Sequence, residues 1–310
     1  MSEELLLKAH AIIKDEPEVA LAICNDILND HIEDEIAQKA LFMSGYIMME
    51  AERYGLAYNI YQRCAQLNPK ISEIWSNMGM CLEEYSPAKA KKYFRKAYKL
   101  NNKNASALAN EGLMCLQTGD PQQCVDLSRR ASMIDPELRA ARYNMGLAQL
   151  MLRDWKNGWE GYYKSLGVKG REGRDYGLPD WNGEKGQVLV FGEQAFGDEL
   201  LFFSCLPDLL KTNDVILDCD KRTEKLLRRS FGLPTYGTRF KTETTLLDEH
   251  TPDYQIAAGQ LPCFYRNSED SFPGTPYLIP DPERTVQWRA LFDTFKGKKN
   301  PPALVLKTMS

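Results

Sequence analysis

Gly45, Gly79, Gly112 and Gly146 stand 34, 33 and 34 residues apart, and no other feature restricts the fold of this chain as strongly. A period of that length describes one helical hairpin, which buries its apolar face by stacking on the next. The clearest unit runs Trp75-x2-Met78-Gly79-x2-Leu82 and continues through Ala90-x3-Phe94 and Ala97. Its neighbours keep the frame with Leu41, Gly45, Ala57, Tyr61 and Pro69 on one side, and Leu108, Gly112, Cys124, Ala131 and Pro136 on the other. Each small residue lets the two helices of a hairpin approach, and each large one plugs the space beside it. The unit of Trp75 is one residue short between Gly79 and Ala90, which predicts a shortened turn near Glu84-Tyr85-Ser86-Pro87. Leu5 to Ile13 and Val19 to Leu28 read as a degenerate, capping first hairpin. After Gly146 the stretch Trp155 to Tyr163 carries more aromatic residues than the repeat needs, so the last hairpin is expected to pack on something further.

This pattern is that of the tetratricopeptide repeat, and it assigns residues 1–166 to an α-solenoid. Such a solenoid has a concave surface that commonly takes peptides, so a protein or peptide partner is expected there. Tyr61, Trp75, Met78 and Phe94 lie at helical spacing and read as core rather than as ligand contacts.

Residues 167–186 are glycine-rich, lack periodicity and read as a linker. From 187 to 295, the strand-like segments Val188 to Phe191, Val215 to Cys219 and Tyr254 to Ala258 alternate with helical ones, which predicts a Rossmann-like parallel α/β domain. Gly192 and Gly197 have the spacing of a phosphate loop, but Asp198-Glu199 stands where Lys-Ser/Thr would follow. The residue types leave two readings of these acids open, a helix cap or a functional carboxylate.

Net charge is -4 with no long basic block, which argues against nucleic acid as a partner. The absence of a long apolar run predicts no membrane span, and the polar N-terminal stretch predicts a cytoplasmic protein. Eight cysteines without a CxxC pair read as reduced, buried thiols, and the three separated histidines suggest no metal site. The cluster Lys221, Arg222, Lys225, Arg228 and Arg229 reads as a solvated helix face.

The run GEQAFGDELLFFSCLPDLL, preceded by Leu178-Pro179-Asp180-Trp181-Asn182-Gly183-Glu184, resembles the bacterial TPR-linked glycosyltransferase-like family and the Gly-Asp loop of heptosyltransferases. Asp253-Tyr254-Gln255-Ile256, Gly259-Gln260-Leu261-Pro262 and Tyr277-Leu278-Ile279-Pro280-Asp281 add to the likeness. The resemblance implies the N-terminal, acceptor-side half of a GT-B fold. It implies Asp198 as the base that takes a proton from an acceptor hydroxyl, with Glu193, Gln194, Gly197, Gly259 and Gln260 around the substrate. A nucleotide-sugar would be the co-substrate, with no other cofactor and no metal. Ala195 departs from the pattern where relatives carry glycine, and would strain the loop if a positive φ were needed there. Residues 296–310 resemble the start of a missing second domain, so the donor half is expected on another chain or lost.

Overall fold

The computed structural model describes residues 2–31, 33–168, 171, 173–238 and 245–296. The chain divides into two compact units, residues 1–169 with 266–269, and residues 170–265 with 270–310.

The first unit is a stack of five helical hairpins. They pair α1 (Ser2–Ile12) with α2 (Pro17–Asp30), α3 (Glu35–Glu50) with α4 (Tyr54–Leu67), and α5 (Ser72–Met80) with α6 (Pro87–Leu100). Then come α7 (Ala105–Gln117) with α8 (Pro121–Ile134) and α9 (Arg139–Met151) with α10 (Trp155–Tyr163). Proline opens α2, α6 and α8, where its missing N–H costs nothing, and Asp34, Asn104 and Asp120 cap α3, α7 and α8 with side-chain oxygens.

The repeat glycines sit where the first helix of a hairpin meets the second. A Cβ on Gly45 would lie 2.8 Å from the Tyr61 ring, and one on Gly79 would lie 2.6 Å from the Phe94 ring. Tyr61, Met78 and Phe94 are buried. Trp75 is only half-buried, with its indole donating to the Pro69 carbonyl at 2.8 Å and the Lys96 ammonium 3.2 Å from its ring centroid. Trp159 and Tyr143 pack on Tyr162, and the Trp155 indole donates to Glu269 at 3.3 Å, which also pairs with Arg153 at 3.2 Å.

The shortened turn has a specific origin. Seven residues after their glycines, Glu52, Gly119 and Arg153 occupy the left-handed region at φ 57°, 84° and 60°. In the third hairpin the equivalent position, Ser86, already serves as the α6 N-cap at φ -153°. The deleted residue is the left-handed one. Such a conformation costs a side chain-bearing residue about 1 kcal/mol, which glycine escapes. Glu52→Gly is therefore expected to raise stability by about 0.5–1 kcal/mol in urea unfolding; an unchanged midpoint would show that this turn relaxes by another route.

The second unit holds a four-stranded, all-parallel sheet of β1 (Gln187–Phe191), β2 (Asp214–Asp218), β3 (Thr235–Tyr236) and β4 (Tyr254–Ala257), in the order β3-β2-β1-β4. The nearly continuous apolar runs of β1 and β2 are buried, as strands covered on both faces require. The segment before β1 is not a free linker. Asp180 bridges to Gln255 in parallel, the Trp181 amide donates to the Gln255 carbonyl at 2.8 Å, and the Gln255 amide donates to the Pro179 carbonyl at 2.9 Å. Helices α11 (Phe196–Phe202), α12 (Glu224–Phe231) and α13 (Pro282–Asp293) belong to this unit. The expected second-domain strand lies beyond Lys296, outside the described residues.

Candidate functional site

In the solenoid, the residue after each repeat glycine is apolar: Tyr46, Met80, Leu113 and Leu147. The glycine must face its own hairpin's second helix. The next residue is turned about 100° away from it and comes to the surface. All four are partly exposed, Met80 to 42%. Placed alike relative to the glycine of each hairpin, the four recur once each on α3, α5, α7 and α9, an apolar row in repeat register. Asparagines two residues before the glycine flank it at 77, 110 and 144. Asn77 donates to the Tyr61 hydroxyl at 2.9 Å and Asn144 to the Ala109 carbonyl at 3.0 Å, so these two fix neighbouring hairpins in register. Beside the short turn, a cleft of about 490 Å³ is lined by Tyr54, Leu56, Tyr58, Leu82 and Tyr85, among others.

In the second unit, the strand order reverses between β1 and β4, and parallel sheets hold ligands beyond the carboxyl ends at such a point. Here that place is filled from within. The Glu193 carboxylate, directly after β1, meets Arg171 at 3.2 Å and accepts from the Gly259 amide at 3.3 Å. Both charged side chains are sealed, at 0% and 1% exposure for Arg171 and Glu193. Burial pushes the Glu193 carboxyl up from its ordinary range, against the opposing pull of the Arg171 guanidinium. At the end of β2, Asp218 accepts from Arg174, the Tyr176 hydroxyl and both the amide and hydroxyl of Thr238.

The Gly192–Gly197 loop is explained by the same packing. A Cβ on Gly192 would fall 1.9 Å from the Glu199 Oε1, so this glycine makes room for a buried carboxylate, not for a phosphate. Glu199 accepts from the Asp220 amide at 3.0 Å and the Thr223 hydroxyl at 3.5 Å, tying α11 to the turn after β2. A Cβ on Gly197 would meet nothing within 4 Å. Ala195 is the N-cap of α11 at φ -61°, ψ 156°, so the position asks for no glycine and the expected strain is absent. With alanine at the N-cap, Asp198 and Glu199 lie in the first turn instead of the capping position.

Of the residues singled out by sequence, Glu193 and Gly259 are brought together. Gln260 turns back to accept from the Ala257 amide at 3.2 Å, Gln194 is partly exposed, and Asp198 is partly exposed with no side-chain hydrogen bond among the described residues. Arg171 and Arg174 escaped sequence reasoning because they sit in a stretch whose glycines announce a linker. No group of three or more His, Cys, Asp or Glu side chains able to hold a metal occurs among the described residues. None of the described helices is long and apolar enough to cross a membrane.

Repeat period, glycine seats and stacked hairpins define the class of the first unit as a tetratricopeptide-repeat solenoid. No family model matches the chain. Protein FlbA of Caulobacter vibrioides is 21% identical over 266 residues, which are 78% of this chain and 45% of FlbA. The chain thus spans about half the length of that curated relative. Among solved structures, MamA of Desulfovibrio magneticus RS-1, from its residue 41 to the end, superimposes with a TM-score of 0.48 at 16% identity, over 54% of this chain and 94% of that one. YrrB, described as a TPR protein with an unusual peptide-binding site, does so with 0.44 at 20% identity, over 52% of this chain and 83% of its own.

Proposed function

We propose that the chain is a protein-binding adaptor that holds an apolar peptide segment along the first helices of its hairpins. The observation that carries this is the ladder of Tyr46, Met80, Leu113 and Leu147, four surface apolar residues in repeat register. A solenoid offers such a row as an extended surface, and peptide side chains spaced along it supply affinity by burying area. Panning the full chain against a displayed peptide library is expected to select apolar peptides. Met80→Glu places a charge in the row at its most exposed member, 42% open, and is expected to weaken the selected peptides at least tenfold, equivalent to about 1.4 kcal/mol. The melting temperature should stay within error. Selected peptides that bind this variant unchanged would exclude the ladder.

Sugar transfer is the second reading, favoured by one observation: Asp198 lies near the sheet's carboxyl edge, partly exposed and unengaged by described side chains. As the acceptor-side half of a GT-B enzyme, the second unit would need a donor half to complete it. Asp198 would then take the acceptor proton, with Gln194, Gly197 and Gln260 beside it and Glu193 and Gly259 as supporting structure. Under this reading, Asp198→Asn abolishes transfer in an enzyme completed by its donor half while thermal stability is unchanged. Full turnover by the variant would remove Asp198 from the role.

A further inference from the structure

The solenoid carries two stripes of opposite charge at separate places. Between residues 15 and 35 there are eight acids and no Lys or Arg; between 86 and 104 there are seven Lys or Arg and no acid. Both sets follow helical spacing. Glu18, Asp26 and Asp30 fall in one row along α2, with Ala22 filling the gap, and Asp15 and Glu33 lie in the segments on either side of the helix. Lys89, Lys92, Lys96 and Lys99 follow each other at intervals of 3, 4 and 3 along α6, and Lys103 lies just past its end. All ten side chains are exposed, and none has an ion-pair partner among the described residues. Lys89 and Lys96 rest against the rings of Tyr58 and Trp75, which hold the row in place. The two helices have 14 residues each, and within them the rows run about 18 Å on α2 and about 15 Å on α6.

Within one chain the rows do not meet, because α2 packs on α1 and α3 whereas α6 packs on α5 and α7. The first hairpin also exposes apolar side chains, Leu7 of α1 at 72% and Val19 of α2 at 44%. We propose that the acidic first hairpin of one copy docks on the basic α6 face of a second copy. This surface is distinct from the apolar ladder. A contact between two different patches is heterologous and repeats from copy to copy, so assembly proceeds past the dimer unless its rotation closes a ring. The chain's net charge of -4 and its exposed acids disfavour a nucleic acid or an anionic membrane as occupant of α6.

Sedimentation velocity of the full chain tests this at about 0.05 M and about 0.5 M salt, where screening lengths differ severalfold. At low salt, the weight-average mass is expected to rise with concentration beyond that of a dimer, and at high salt to return towards the monomer. Lys92→Glu/Lys96→Glu/Lys99→Glu and, separately, Asp26→Lys/Asp30→Lys are each expected to weaken association by about tenfold or more. Mixing the two variants should restore it, since each then offers what the other lost. Far-ultraviolet circular dichroism checks that each variant is folded; Lys→Gln and Asp→Asn replacements at the same positions serve if a reversal unfolds. A chain that stays monomeric at low salt would overturn the proposal, as would association indifferent to both sets of variants. Retention of heparin or anionic vesicles by the α6 face of a chain that stays monomeric would overturn it in favour of a polyanionic partner.

Discussion

Gly146→Ala is expected to be among the most damaging single substitutions in the solenoid, costing about 3 kcal/mol, at the upper end for overpacking a core. Around Gly146 the obstruction is main chain. A Cβ there would lie 2.8 Å from the Tyr162 nitrogen, 2.9 Å from the Gly158 oxygen and 3.0 Å from the Gly161 carbonyl carbon. A Cβ on Gly161 would in turn fall 2.9 Å from the Gly146 Cα, so α9 and α10 cross backbone on backbone. No side chain can rotate to relieve the added methyl, and the helices must separate. At Gly79 the obstacle is the Phe94 ring at 2.6 Å, and at Gly112 it is the Ser128 hydroxyl at 3.1 Å, which can turn. Loss of stability should therefore rank Gly146→Ala above Gly79→Ala above Gly112→Ala, with Gly197→Ala near zero as the control. Hydrogen exchange of the amides of each hairpin measures it. Equal losses at positions 146 and 112 would contradict the close crossing.

Arg171→Met is expected to cost about 3–5 kcal/mol at pH 7, because it leaves the buried Glu193 carboxylate without its counter-charge. The loss should depend on pH in a defined direction. The folded-state pKa of Glu193 is already raised, so its contribution to stability is present below the ordinary carboxylate range and is lost as pH rises through it towards the folded value. Removing Arg171 deletes the largest opposing pull and extends that window upward. The deficit of the variant should accordingly shrink as the pH falls towards the ordinary carboxylate range and grow as the pH rises above it. Adding Glu193→Gln should recover most of it, since the amide carries no charge to desolvate. The exchange rate of the Val190 amide in β1 reports the unit directly. A deficit below about 1 kcal/mol at pH 7, or one constant with pH, would mean that the pair is not sealed as described.

The solenoid was legible because its information is local and repeated. One glycine per hairpin fixes the crossing, and the period fixes the next. The sequence also exposed the missing residue of the third hairpin, although not that the lost residue is the left-handed one. The parallel sheet was legible as three apolar segments, while β3 has two residues, Thr235 and Tyr236, too few to show a pattern. What could not be read was the fate of the acids at the sheet's carboxyl edge. Glu193 and Glu199 look alike beside Asp198 in a chain of letters. Their difference is made by Arg171, 22 residues before Glu193, and by Asp220 and Thr223, more than 20 residues after Glu199. A glycine pair that suggested an anion loop turned out to need one glycine for packing and the other for nothing visible.

The first four hairpins also contain their own reporters. Cys24, Cys64 and Cys81 lie buried in the first three, and Cys115 and Cys124 in the fourth. Burial pushes the thiols of Cys64, Cys81 and Cys124 up to about 11, so each stays protonated and inert until its hairpin opens. Alkylation followed by mass spectrometry would thus time the fraying of the stack, unit by unit, without an introduced label.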